Sequence, residues 1–256
     1  MPEVAVYAPG TPMWVDLGTP DLAGSTQFYS KLFGWDADEP VAEAGGYTLL
    51  RQNGKVVAGI GPIMMEGQPT AWSTYVCTED ADETAAKVQA AGGKVIAPPM
   101  QVMNQGKMAV FQDPTGAYIG VWQPQDMQGA EPVNEPNSLC WNELDTRDLA
   151  SAKEFYAKVF GWNAKTADGT IPYTEWHLGD RSIGGAMDIT GRMPDEVPAN
   201  WLTYFAVDDC EATCATAKQL GGAVMMEPMD IDPGRFAVIA DPQGGVFAVI
   251  KLSGRM

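Results

Sequence analysis

WVDLGTPDLAGSTQFYSKLFGW, residues 14–35, recurs as WNELDTRDLASAKEFYAKVFGW at residues 141–162. Twelve of the 22 positions are identical, a density at one offset that marks an internal repeat. The register continues downstream with small slips. Tyr47–Thr48 meets Tyr173–Thr174, and Val57–Ile60 meets Ile183–Ala186. Trp72–Tyr75 meets Trp201–Tyr204, Ala91–Gly93 meets Leu220–Gly222, and Asp113–Gly116 meets Asp241–Gly244. One domain is therefore written twice, over residues 12–122 and 138–253. Residues 1–11 read as an N-terminal arm. Residues 123–137, rich in Pro, Gln, Asn and acid with no apolar period, read as a linker.

Within a copy the quoted stretch opens as a strand and becomes a helix. Met13–Leu17 alternates with period two. Asp21 and Asp148 stand where helix N-caps belong. Phe28, Leu32 and Phe33 fall on one helical face, and Gly34 and Gly161 end the helices. Strands are expected at Tyr47–Arg51, Val56–Ile63 and Ser73–Cys77. Asp80 opens a second helix carrying Ala85, Val88 and Ala91, which Gly92 and Gly93 stop. Strands then follow at Lys94–Ala97, Lys107–Gln112 and Ala117–Trp122, the last after a turn at Asp113–Gly116. Each copy reads as two βαβββ modules.

Composition narrows the function. With 45% apolar and 19% charged residues the chain is globular in type. Sixteen basic against 33 acidic residues leave a net charge of −17. That balance repels nucleic acid and anionic membranes and suits a small neutral or cationic partner. No apolar run reaches membrane-spanning length, and Met1–Val4 lacks the basic start of a secretory signal. A cytoplasmic protein is expected, as a monomer with pseudo-twofold pairing inside the chain, or as a homodimer. Cys77, Cys140, Cys210 and Cys214 form no CxxC pair and read as reduced thiols. Two groups of methionines, Met64, Met65, Met100, Met103 and Met108, then Met225, Met226 and Met229, read as gap-fillers of the core.

A helix ending FYxxxFGW, a second helix ending in GG and a DPxG turn before the last strand together resemble the vicinal oxygen chelate superfamily. It includes glyoxalase I, bleomycin-resistance proteins and extradiol dioxygenases. The resemblance runs once per copy over nearly the whole chain, and is most similar to two-domain glyoxalase-like proteins of actinobacteria. It implies an α+β fold of tandem domains, each a curved mixed sheet forming a cup. It also implies where a divalent metal would be held, by His, Glu or Gln. Those positions fall on Trp14 and Trp141, on Ser73 and Leu202, on Gly120 and Ala248, and near Ile60 and Ala186. None carries a first-choice ligand, and the only histidine, His177, aligns with Arg51. No metal and no cofactor are expected.

What occupies the metal's place is then the question. Strand alternation puts Trp14 and Asp16 on one face, as it does Trp141 and Glu143. Asp16 and Glu143 are candidate general acid–base groups. Trp14, Trp141, Tyr75, Tyr204, Trp122 and His177 are candidate ligand-binding residues, since aromatic walls with polar tips suit a planar organic molecule. Trp72 and Trp201 point the other way, into the core. The first expectation is a metal-independent protein holding a small, largely apolar or aromatic metabolite, in sequestration, resistance or an accessory biosynthetic role. The second is an enzyme on methylglyoxal or on a ketone or quinone. The third is an interaction protein with decayed cups.

Overall fold

A computed structural model describes residues 7–63, 67–167 and 172–254. Met64, Met65 and most of the expected N-terminal arm lie outside the described residues. The first copy runs β1 (Pro12–Thr19), α1 (Leu22–Phe33), β2 (Asp36–Ala37), β3 (Thr48–Gln52), β4 (Lys55–Pro62), β5 (Ala71–Cys77), α2 (Ala81–Ala90), β6 (Lys94–Val102), β7 (Gly106–Gln112) and β8 (Tyr118–Pro124). The second repeats it as β9 (Leu139–Thr146), α3 (Leu149–Phe160), β10 (Asn163–Ala167), β11 (Tyr173–Leu178), β12 (Arg181–Asp188), β13 (Asn200–Ala206), α4 (Cys210–Gln219), β14 (Ala223–Ile231), β15 (Gly234–Ala240) and β16 (Val246–Leu252). Residues 125–137 hold no helix or strand.

Each copy contributes an eight-stranded mixed sheet, ordered β2-β3-β4-β1-β5-β8-β7-β6 and β10-β11-β12-β9-β13-β16-β15-β14. The fold is thus α+β, with one mixed-sheet domain in two tandem copies. The strand that the sequence reading missed is β2. It has two residues, both exposed, so no apolar alternation betrays it. Its counterpart β10 is exposed at all five positions.

Local chemistry sets the helix ends. The Asp21 carboxylate accepts from the Gly24 N–H at 2.9 Å, and Asp148 accepts from Ser151 N–H at 3.0 Å. Gly34 and Gly161 both sit at φ 73°, the left-handed conformation in which a side chain would be strained, and close α1 and α3.

Packing cuts the chain differently from the repeat. Among the described residues, one compact unit joins 7–14 and 74–129 with 141–167 and 172–201. The other joins 15–63 and 67–73 with 130–140 and 202–254. In the first unit the core includes Val88 and Phe111 with Phe155, Tyr156, Trp162, Trp176 and Trp201. In the second it includes Phe28, Tyr29, Phe33, Trp35 and Trp72 with Phe205, Ile239 and Phe247. Both expected core tryptophans, Trp72 and Trp201, are in place. Copy pairing within the chain is therefore built into both cores.

Each core is organised by a buried hydroxyl. Tyr29 donates to Asp241 at 2.8 Å and accepts from the Trp72 indole N–H at 3.0 Å. Tyr156 donates to Asp113 at 2.8 Å and accepts from Trp201 at 2.9 Å. The two aspartates belong to the DPxG turns. Asp241 also accepts the backbone N–H of Gln243 and Gly245, and Asp113 those of Thr115 and Ala117. Satisfying these carboxylates from several sides is what makes their burial tolerable.

Four of the six described methionines of these groups depart from expectation. Met100, Met103, Met225 and Met229 are between 43% and 64% exposed, on or beside β6 and β14. These strands end their sheets, with packing on one face only, so their outward methionines fill no core gap.

Candidate functional site

On β9, Leu144 enters the helix-side core, so Trp141, Glu143 and Asp145 project from the opposite face. The parallel neighbour β12 sets Gly185 beside Glu143 and Met187 beside Asp145. The next strand, β11, sets Tyr173 opposite Met187. A Cβ at Gly185 would collide with the Tyr173 hydroxyl, so the missing side chain makes room for the phenol.

These side chains form a directed chain. The Trp141 indole N–H donates to the Tyr173 hydroxyl at 2.9 Å, and that hydroxyl donates to Glu143. Burial pushes the Tyr173 phenol far above its ordinary range, and the Glu143 charge adds to this. The phenol is therefore a donor throughout the physiological range. Glu143 is 5% exposed and Asp145 2%. Burial, followed by the charge on Glu143, raises the Asp145 carboxyl from the ordinary aspartate value to about 8. Asp145 Oδ1 is sealed from solvent and meets no donor.

The first copy repeats half of this. Tyr47 donates to Asp16 at 3.0 Å. Gly59 lies beside Asp16 in the parallel register, and a Cβ there would collide with the Tyr47 hydroxyl. Asp16 is half-buried. The position equivalent to Asp145 is Gly18, so the acid pair exists in the second copy alone.

The remaining candidates lie on β1, β5, β8, β13 and β11. Trp14 is 2% exposed on β1. The Tyr75 ring lies over Gly120, where an added Cβ would strike it. Trp122 donates its indole N–H to the Met127 carbonyl at 3.0 Å. Tyr204 stacks on Phe236 with ring centroids 6.2 Å apart. His177 pairs with Glu175 on its own strand, Nε2 to Oε2 at 3.2 Å, and Ser182 donates to the same carboxylate oxygen at 2.9 Å.

The residues do not fit the divalent site that the fold family implies. Its positions hold indoles at Trp14 and Trp141, and Gly120 is covered by the Tyr75 ring. Ile60 and Ala186 are fully buried in the helix-side cores; one residue earlier, Gly59 and Gly185 occupy the acid-bearing face beneath the tyrosine hydroxyls. Among the described residues, no group of three His, Cys, Asp or Glu side chains could hold a metal ion.

Sequence reasoning missed three residues of this constellation: Tyr47, Tyr173 and Asp145. The tyrosines carried a signal, being equivalent across the copies. Asp145 carried one too, as the acid in WNELD that replaces the glycine of WVDLG.

Residues 12–121 and 139–249 each match the Glyoxalase/Bleomycin resistance protein/Dioxygenase superfamily, and the chain belongs to that family. Among its relatives is a Mycobacterium tuberculosis protein described as "Putative glyoxylase CFP32". It is 43% identical over 98% of both chains. The anthracycline biosynthesis protein DnrV of Streptomyces peucetius is 40% identical, over 96% of this chain and 94% of its own. The crystal structure of the 2,3-dioxygenase LapB from Pseudomonas sp. KL28 superposes with a TM-score of 0.67. It covers 98% of this chain and 94% of that one at 15% identity, a likeness of fold.

Proposed function

We propose that this protein binds a small, largely apolar or aromatic metabolite on the acid-bearing face of its sheets, and does so without a metal ion. The observation that carries the reading is the Trp141–Tyr173–Glu143 chain laid over Gly185. Indole and phenol supply flat apolar surface, and the carboxylate supplies a polar tip that orients a ligand. The Tyr47–Asp16 bond over Gly59 supports the same reading for the first copy. The kinship with a protein named for anthracycline biosynthesis favours a fused aromatic ligand and an accessory biosynthetic or resistance role.

Titration calorimetry with a panel of anthracyclines, simple quinones and methylglyoxal tests this directly. Saturable binding of a planar aromatic, unchanged by chelator, is the expected result. No binding across the panel, or binding that chelator abolishes and a divalent ion restores, would remove the basis of the reading.

A second reading, an enzyme acting on a ketone or quinone, is favoured by Asp145. A carboxyl that titrates near neutrality suits general acid–base work. Its test is substrate loss in wild type against Glu143→Gln and Asp145→Asn. Equal rates in all three would exclude both acids from the chemistry.

A further inference from the structure

We propose that Asp145 is a neutral hydrogen-bond donor for the carbonyl oxygen of a ketone or quinone ligand, and that this makes the second copy the one that recognises such ligands. The inference rests on the aromatic-ligand reading above and gives that face a substrate class.

Two acids two residues apart on one strand share a face, and both are buried. Burial disfavours a charge on either acid, and a charge on one disfavours a charge on the other; one carboxyl keeps its proton. The hydrogen bonds say which. Glu143 receives the Tyr173 hydroxyl, a bond that favours its charged form. Asp145 receives nothing at Oδ1, and its strand neighbour is the apolar Met187. Asp145 is therefore the protonated partner, and a buried carboxylic acid needs an acceptor. A carbonyl oxygen supplies one without bringing a charge.

The charged and titratable groups around Asp145 in its unit are few: Arg147, just past β9, gives its terminal N–H groups to the Val197 and Pro194 carbonyls, and Arg181 opens β12 at the end away from Met187. Tyr173 on β11 stays neutral because its phenol is raised. Glu175 and His177 bond to each other further along β11, and Asp188 adjoins Met187 on β12. The first copy has Gly18 in the equivalent place and lacks the donor. The copies are thus unequal: one offers a carboxylate alone, the other a carboxylate with an acid.

The test compares two neutral probes of one shape, 2-(hydroxymethyl)anthraquinone and 2-(hydroxymethyl)anthracene, which differ in the two carbonyl oxygens. Binding to the full chain is measured at pH 6 and pH 9.5 in wild type, Asp145→Asn and Asp145→Leu. The expected result in wild type is about a tenfold preference for the quinone at pH 6, as one added hydrogen bond gives. That preference should collapse at pH 9.5, when Asp145 ionises. Asn keeps a donor at every pH, so Asp145→Asn should hold the preference at both. Leu has none, so Asp145→Leu should lose it while still binding the anthracene. A preference in wild type that ignores pH, or one that survives in Asp145→Leu, would overturn the proposal and leave the aromatic site standing. Failure of both probes to bind wild type would overturn the aromatic reading and this proposal with it.

Discussion

Tyr29 donates a hydrogen bond at 2.8 Å to Asp241, a residue 212 positions further along the chain. Tyr156 repeats the bond on Asp113 at the same distance. In each case the tyrosine of FYxxxFGW in one copy meets the DPxG aspartate of the other. Both phenols are raised well above their ordinary range, first by burial and then by the aspartate charge, so they remain donors. Removing either hydroxyl strands a buried carboxylate oxygen and an indole N–H. Tyr29→Phe and Tyr156→Phe should each cost about 2–3 kcal/mol, read from urea unfolding. A loss under about 0.5 kcal/mol would show that the bond does not organise the core.

The glycines beneath the site tyrosines offer a second measurement. Gly185→Ala places a methyl where the Tyr173 hydroxyl stands, and Gly59→Ala does so at Tyr47. Each should weaken ligand binding and cost about 1–3 kcal/mol of stability through overpacking. Truncating the tyrosine should recover part of that loss, so Gly185→Ala with Tyr173→Ala should be less damaging than the sum of the two single changes. Strict additivity would mean that the methyl and the phenol do not compete for one space.

The raised Asp145 carboxyl makes stability depend on pH. Its folded value, about 8, lies above the unfolded one, so the folded state holds the proton more tightly. The contribution is complete below the ordinary aspartate value and is lost as pH rises through about 8. The stability of Asp145→Asn should therefore exceed that of wild type by a margin that grows across pH 5–8, by up to about 1.4 kcal/mol per pH unit. Glu175 and His177 are present in both proteins, and because the Glu143 charge acts on Asp145 the difference reports the titration of that acid pair. Parallel melting profiles would place its titration elsewhere.

A divalent ion that bound the folded state would stabilise it by mass action. With indoles and glycines at the implied ligand positions, millimolar Mg, Mn, Ni or Zn should leave the melting temperature within about 1 °C of the chelated protein. An upward shift that saturates with concentration would reveal a site.

Burial lifts the Cys77 and Cys214 thiols to about 11, and Cys140 higher still. Attack requires the thiolate. An aromatic disulfide reagent at pH 8 should label the folded protein slowly, and should reach all four cysteines once the chain is unfolded. Rapid labelling of one thiol in the folded state would mark a local opening.

The legible part of this protein was its local grammar. Alternation in WVDLG and WNELD, the Asp caps of α1 and α3, and the left-handed glycines that end those helices all follow from backbone preferences acting over a few residues. So does the shared face of Trp14 and Asp16. The two-residue β2, exposed throughout, left no pattern to read.

The sequence by itself determined the duplication and the family, because both are a matter of residue identity at matched positions. Only the tertiary structure decided which halves share a core, since the Tyr29–Asp241 and Tyr156–Asp113 bonds join residues far apart in the chain. It alone decided that Tyr47 and Tyr173 reach over glycines to Asp16 and Glu143. The repeat displayed Asp145 as one acid among 33. Its proton is held by burial and by the charge on Glu143, and both are properties of the assembled fold rather than of the residue.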